Sequence, residues 1–449
     1  MNENQALQIS LPAFVKAYLE KYGLSGWGVE TAKDKKYNNI VVIPAIQEYE
    51  NILRLLYSLI QIDNKYLNET LFLFVINNSA DANEDVKKDN QLTLKLFQSI
   101  LRKDYSQNSI SHELIDGGIN IGFIDASSSG NELPAKDAGV GLARKIGMDI
   151  ALTLFNYQIN SKKIIICLDS DCIVERNYLS AIVEEFNNKK ISAGHVQYEH
   201  ILPEDEIEKK AIICYEIFLR YYTLGLKYAQ SPFAFTFIGS TMLCDVESYC
   251  KIGGMNKRKA AEDFYFLEKL AKVTSIKKIA STKVYPASRP SWRVPFGTGQ
   301  RINRFIENSR DEYLLYNPQS FIVLQKWLEV FNSDNNHDEK ELFAKAEEID
   351  PGLFTYLKDN SFENNWNRIL GNSKTKEQIN KQKMMWFDGF KTMKLIHYLR
   401  DNGYPQIQMF DALDELFELM NIKIANQRTQ AIPGIDTQIE YLNLLRSIA

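Results

Sequence analysis

One stretch constrains the fold more than any other: Ile164-Ile165-Ile166-Cys167-Leu168 runs straight into Asp169-Ser170-Asp171. An apolar run of this length, rich in β-branched residues, predicts a strand buried on both faces. Strands of that kind occur in parallel sheets covered by helices. Their carboxyl ends form the edge where α/β sheets take ligands. Two carboxylates one residue apart at that edge offer hard oxygen ligands of the type Mg²⁺ and Mn²⁺ prefer, and such an ion in turn suits a diphosphate.

The rest of the chain supplies partners for that strand. Val41-Val42-Ile43-Pro44 reads as a second buried strand. Glu48–Ile60 follows with Ile52, Leu55, Leu56 and Leu59 at helical spacing. Leu71–Ile76 is a third strand, closed by Asn77-Asn78-Ser79, and Glu84–Leu101 a further helix. Strand, helix, strand, helix in this order predicts a parallel sheet with right-handed crossovers. Asp116–Lys136, rich in Gly, Ser and Asn, is expected to be a long mobile loop, functional or disordered. A helix over 137–157, a strand over 191–197, an aromatic helix over 211–228, a strand over 237–244 and a helix over 262–271 complete this part.

Before it, residues 1–38 form a helical arm in which Phe14, Val15, Tyr18, Leu19 and Tyr22 recur at helical spacing. After about Arg304 strand-like runs disappear. The predicted domains are therefore an arm over 1–38, an α/β domain over 39–303 and an all-α domain over 304–449. Met384, Met385, Trp386, Phe387 and Phe390 are expected in the core of the last.

Composition narrows the function classes. The chain of 449 residues carries 53 Lys plus Arg against 57 Asp plus Glu, a net charge of −4, which gives no electrostatic case for nucleic acid. Five scattered Cys make no disulfide framework. Cys167 and Cys172 have no His near enough for zinc and read as buried thiols of a reducing cytosol. The amino terminus lacks a signal-peptide pattern, and no apolar run reaches about 18 residues, so no membrane span is expected. A cytoplasmic protein is the expectation, with peripheral membrane contact allowed by the aromatic 211–228 helix.

Five motifs then fall in order: Val41-Val42-Ile43-Pro44-Ala45-Ile46-Gln47-Glu48; Val75-Ile76-Asn77-Asn78-Ser79; Gly139-Val140-Gly141-Leu142-Ala143-Arg144-Lys145-Ile146-Gly147; Asp169-Ser170-Asp171; and Gly239-Ser240-Thr241 with Gly253-Gly254-Met255 and Ala261-Glu262-Asp263-Phe264. Gly139-x-Gly141 is not a dinucleotide loop, because it lacks the third Gly and follows a polar loop rather than a strand. Arg289-Pro290-Ser291-Trp292-Arg293, with Gly297, Gly299 and Arg301 behind it, mixes cations, an indole and hinges in the manner of a lid over a diphosphate.

Over roughly residues 38–300 this order resembles the family 2 glycosyltransferases of the GT-A fold. The resemblance implies a nucleotide-diphospho-sugar transferase fold, a Rossmann-like mixed sheet. It further implies a metal-dependent, inverting transfer, of a hexose by expectation, from a nucleoside-diphosphate donor to an acceptor hydroxyl. It casts Asp263, with Glu262, as the catalytic acids. Asp171 becomes the leading ligand of Mn²⁺ or Mg²⁺, and Asp169 reaches the ribose or the metal through water. Pro44, Ala45, Glu48, Asn77, Asn78, Arg144 and Asp169 line the nucleotide sugar. Arg289, Trp292 and Arg293 serve as lid or acceptor contacts.

The chain departs from the pattern in three places. Asn77 or Asn78 stands where the family has the Asp that meets the nucleobase, Gln47 stands for the usual Asn, and the 289–293 run replaces Gln-x-x-Arg-Trp. His195, His200 and His397 are further metal candidates. The acceptor is a glycan, a lipid-linked molecule or a small molecule, and the chain is open to oligomerisation. Three alternatives stand beside this reading: a retaining transferase acting on a small anionic acceptor, a nucleotidyltransferase, and an inactive module that binds a nucleotide sugar or a partner.

Overall fold

The computed structural model describes residues 11–32, 35–104, 109–189, 191–290, 297–333, 338–424 and 428–449. Its main sheet has eight strands: β1 Asn39–Ala45, β2 Thr70–Asn77, β3 Asn120–Ala126, β4 Ile164–Cys167, β5 Ile173–Val174, β6 Ala193–Tyr198, β7 Met242–Asp245 and β8 Ile276–Tyr285. They lie in the order β3-β2-β1-β4-β7-β6-β8-β5. β3, β2, β1 and β4 are mutually parallel, and β7 runs antiparallel to both β4 and β6. The sheet is therefore mixed, as expected.

β1, β2 and β4 are buried along their whole length, which is why they read as unbroken apolar runs. Alternate residues serve opposite faces. Val41, Ile43, Phe72, Phe74, Ile164 and Ile166 share one core cluster with Ile52, Leu55 and Leu59 of the Tyr49–Ile60 helix and with Phe97 of the Glu84–Leu101 helix. On the other face lies the Val140–Leu154 helix. It approaches closely because Gly147 meets the sheet: a Cβ there would sit 2.8 Å from Val75 and 2.5 Å from Val42.

β3 corrects the expectation that Asp116–Lys136 is a loop. Asn120, Gly122 and Asp125 interrupt its apolar pattern, and each has a local task. The Asn120 side chain donates to Leu67 O at 2.8 Å and to Thr70 O at 2.9 Å. Gly122 leaves room for Glu30 and Thr31, which a Cβ would approach to 3.2 Å. The segment that follows is anchored as well: Leu133 N donates to Asn78 O at 2.9 Å, and Trp27 Nε1 donates to Asn131 O at 2.7 Å.

The chain divides into two compact units that interleave in sequence. Among the described residues, one comprises those up to Ile201 with Phe237–Ala287; the other comprises Leu202–Thr236 with residues 288–290 and Gly297–Ala449. The division does not follow a boundary at 304. The Glu206–Tyr228 helix belongs to the helical unit because its buried face, Ile213, Ile217, Tyr221 and Leu224, packs into the same core as Phe321, Leu324 and Trp327.

Among its described residues the regular elements of that unit are helices, apart from the two-residue pair Leu314–Leu315 with Ile407–Gln408. Its aromatic centre holds Trp327, Phe331, Phe362, Trp366, Trp386 and Phe387. Met385 and Phe390, expected in this core, are instead 44% and 36% exposed, on the outer faces of two separate helices, Lys376–Trp386 and Gly389–Asp401.

Candidate active site

Strand order reverses at β1: the chain builds outward through β2 and β3 on one side and returns to β4 on the other. The carboxyl ends of β1 and β4 therefore flank a topological switch point, the place where open α/β sheets bind ligands. Asp169 and Asp171 leave β4 at this point. Leu168 N donates to Val42 O at 3.2 Å, keeping the chain in register to its last residue, and Cys172 N then turns back onto Asp169 O at 3.2 Å. Asp169 and Asp171 are both half-buried.

Arg144 is the centre of the site. It is 2% exposed. Its Nη2 pairs with Asp169 Oδ1 and its Nη1 with Glu262 Oε1. Burial opposes its charge, and the two carboxylates more than offset this, holding its pKa above the usual arginine value. Glycines make the arrangement possible. A Cβ on Gly239 would collide with all three terminal atoms of the Arg144 guanidinium, and one on Gly141 would collide with Arg258 O. Gly139 likewise admits the Lys259 backbone, which a Cβ would approach to 2.8 Å. The Gly139-x-Gly141 pattern thus serves the close approach of the 258–262 segment to a helix start, and Gly239 serves the guanidinium.

Glu262 and Asp263 open the Glu262–Ala271 helix. Ala261 before them has φ 58°, a left-handed conformation that is rare for a residue with a Cβ and concentrates at functional sites. Asn256 braces the turn, its Nδ2 donating to Glu262 O at 2.8 Å and its Oδ1 accepting from Arg258 N at 3.1 Å. Asp263 Oδ1 accepts the Phe264 N–H at 2.7 Å. Burial pushes the Glu262 carboxyl up, to about 7, against the pull of Arg144. Burial also raises Asp263, opposed by Arg144 and by the Phe264 N–H. A carboxylate raised towards neutrality is better matched to taking up a proton than an ordinary Asp.

The other predicted positions divide by role. Pro44 and Ala45 are buried within β1. Gln47 has φ 53°, and its N–H donates to Asn90 Oδ1 at 3.0 Å. Glu48 is buried at the start of the next helix and accepts from Asn51. The Asn77 amide donates to Ala45 O at 2.9 Å. Asn78 donates to Ser127 O at 3.2 Å and accepts from Asn90 Nδ2 at 2.7 Å. These amide groups fasten the ends of β1, β2 and β3 to one another.

Asn90 was not anticipated, although its place on the apolar face of the Glu84–Leu101 helix, four residues before Leu94, is a readable signal. Asp125 was also missed. It ends β3 with Oδ1 accepting from Ser127 N at 3.0 Å and Ser128 N at 2.9 Å, and these donors hold its carboxyl below the ordinary range despite burial.

Arg289 is half-buried, and Trp292 and Arg293 lie outside the described residues. His195 is buried in β6, and His397 lies against Tyr316 Oη at 2.8 Å within the helical unit. Burial pushes the Cys167 thiol up to about 12 and raises Cys172 well above the ordinary thiol value, which favours the neutral thiol at both. Among the described residues no cluster of three metal-binding side chains occurs. The donor set does fit an ion taking one or two carboxylates from the protein and the rest from phosphate and water.

No protein-family model matches the chain, and no curated protein matches it. Among solved structures, S. aureus TarS 1–349 in complex with UDP-GlcNAc matches at 13% identity and a TM-score of 0.37, over 88% of this chain and 95% of that one. The mannosyltransferase PcManGT from Pyrobaculum calidifontis, in complex with GDP-Man and Mn²⁺, matches at 11% identity and a TM-score of 0.36, over 98% and 96%. GalNAc-T7 with UDP, GalNAc and Mn²⁺ matches at 14% identity and a TM-score of 0.35, over 78% of this chain and 63% of that one. Each is a distant likeness.

Proposed function

We propose that this chain is a GT-A-type glycosyltransferase that moves a sugar from a nucleoside diphosphate to an acceptor hydroxyl with inversion. The observation that carries the reading is the buried Asp169–Arg144–Glu262 chain of ion pairs at the switch point, with Asp171 and Asp263 beside it. The reading assigns metal binding to Asp171 and proton acceptance to Asp263, each within two residues of a carboxylate that Arg144 holds.

The chemistry follows from those parts. The acceptor oxygen attacks the anomeric carbon, the bond from that carbon to the phosphate oxygen breaks, and Asp263 takes the acceptor proton. Arg144 does not leave its two carboxylates; it holds Asp169 and Glu262 in place and contributes positive charge near the departing diphosphate. Mn²⁺ or Mg²⁺, held by Asp171 with Asp169 behind it, would neutralise the diphosphate. Glu262, tied to Arg144, sets the helix start from which Asp263 projects.

A thermal-shift panel of UDP, GDP, CDP and their sugars with Mn²⁺ tests this. One nucleotide family should raise the melting temperature in proportion to the logarithm of its concentration, as expected for a ligand of the native state alone. Asp171→Ala should abolish the metal-dependent part. No stabilisation by any nucleotide, or an unchanged response in Asp171→Ala, would overturn the assignment.

A further inference from the structure

One segment of the helical unit carries a charge opposite in sign to that of the whole chain. From Lys374 to Lys394 six lysines stand against two acids, Glu377 and Asp388, in a protein of net charge −4. The segment spans the Lys376–Trp386 helix and the first half of the Gly389–Asp401 helix. Only Lys383 and Trp386 of the first helix are buried. Lys383 Nζ lies 5.6 Å from the centre of the Trp366 ring, and Trp386 joins the same aromatic core, so these two residues anchor the helix. Lys381 and Met385, four residues apart and therefore on one face, are exposed.

The two helices meet where Lys391 Nζ lies 5.3 Å from the centre of the Trp386 ring. Met385 and Phe390 are the sequence neighbours of this pair, and they are 44% and 36% exposed. Lys394, one turn beyond Phe390, holds its Nζ 5.5 Å from the centre of that ring. Among the described residues Lys381, Lys391 and Lys394 form no ion pair. Their charge is therefore uncompensated within the unit, and it surrounds exposed apolar groups. The Glu206–Tyr228 helix, the expected membrane contact, offers no such surface, because Ile213, Ile217, Tyr221 and Leu224 line the core.

We infer that the junction of these two helices is a docking surface for an anionic lipid bilayer. Such a bilayer attracts clustered lysines over about a Debye length. Apolar side chains among the lysines supply the second component of binding, since they enter the boundary between head groups and acyl chains. Met385 suits that boundary, being unbranched and able to adapt its shape. A soluble polyanion would recruit the lysines alone and gain nothing from Met385 and Phe390. The surface lies wholly within the helical unit and does not depend on the transferase reading.

Co-sedimentation of the full chain with phosphatidylcholine vesicles, with and without phosphatidylglycerol, tests the inference. The chain should bind the anionic vesicles and not the neutral ones, and high salt should release it. Lys381→Gln combined with Lys394→Gln should weaken binding about 25-fold, each lysine near such a surface contributing about fivefold. Met385→Ser combined with Phe390→Ser should weaken it about three- to tenfold through lost apolar contact. A melting temperature equal to the parent's checks the fold of each variant, and Met385→Ser alone serves where Phe390→Ser lowers it. Binding to neither vesicle, equal binding to both, or full binding by the lysine variant overturns the inference. So does loss in the lysine variant with full binding by Met385→Ser, or binding to soluble polyphosphate without binding to vesicles; either marks a surface for a polyanion instead.

Discussion

Replacing Arg144 by Met should destabilise the α/β unit severely, and by an amount that depends on pH. The side chains of Arg144 and Glu262 are 2% and 6% exposed, and that of Asp169 is 35% exposed. The Glu262 pair therefore carries most of the effect, while solvent screens Asp169. Removing one partner of a buried pair costs about 3–5 kcal/mol, because the other charge stays behind uncompensated. Against a typical stability of about 5–15 kcal/mol this is a large fraction.

The pH dependence has a definite sign. Glu262 is raised by burial to about 7, so the folded state binds its proton more tightly than the unfolded chain does. Stability from this group is complete below the ordinary Glu range and is lost as pH rises through about 7. Arg144 now limits that loss. Without it the carboxyl rises further, and the full penalty should appear at pH 8.5 and shrink to about 1–2 kcal/mol at pH 5, where only hydrogen bonds and packing are missing.

Amide exchange at Ile165 and Ile166 in β4 would read the opening of this unit separately from the helical one. Glu262→Gln in the Arg144→Met background should recover part of the loss at pH 8.5. An equal cost at both pH values, or no recovery in the double variant, would refute the argument that a buried carboxylate drives the effect.

Three further outcomes are expected. Asp263→Asn, nearly isosteric, should leave nucleotide affinity intact and lower turnover by roughly a hundredfold or more; with Asp263 intact, the rate should climb with pH through a midpoint above the ordinary Asp range, since burial raises this carboxyl. Gly239→Ala should crowd the Arg144 guanidinium against its two carboxylates, costing about 1–3 kcal/mol by denaturant unfolding and lowering turnover as well. Tyr18→Phe should cost about 1–3 kcal/mol by the same measurement, because its hydroxyl donates to Asp149 at 2.7 Å and accepts from Lys145 at 3.0 Å in a buried network.

What the sequence reveals here follows from where the physics is local. β1, β2 and β4 are legible because both of their faces are buried, and Asp169 and Asp171 are legible because they end such a run. Glu262 and Asp263 are marked by a helix start behind a Gly-Gly turn. β3 escapes because Asn120, Gly122 and Asp125 answer to side-chain and backbone partners rather than to the apolar period. The role of Arg144 escapes for a different reason. Its partners lie 25 and 118 residues away, and spacing carries no information about a contact made by folding. Asn77 and Asn78 sit at the carboxyl end of β2, and their hydrogen bonds tie strand ends together, which only the neighbouring backbone could reveal.

The interleaving of the two units bears on how the chain can be cut. A truncation ending at residue 303 looks natural from the sequence. It would retain the Glu206–Tyr228 helix and discard what covers it. Gly225 faces the Phe321 ring so closely that a Cβ would lie 2.5 Å from it, Tyr221 donates to Tyr316 O, and Glu216 is clasped by Arg446 at 2.8 Å. Stripped of these, Ile213, Ile217, Tyr221 and Leu224 would form a sticky stripe, and Glu216 would lose Arg446 and keep Arg220 of its own helix, at 2.8 Å. The shortened protein would be driven into inclusion bodies however sound its sheet, and its insolubility would say nothing about whether the carboxylates at the sheet edge can work alone.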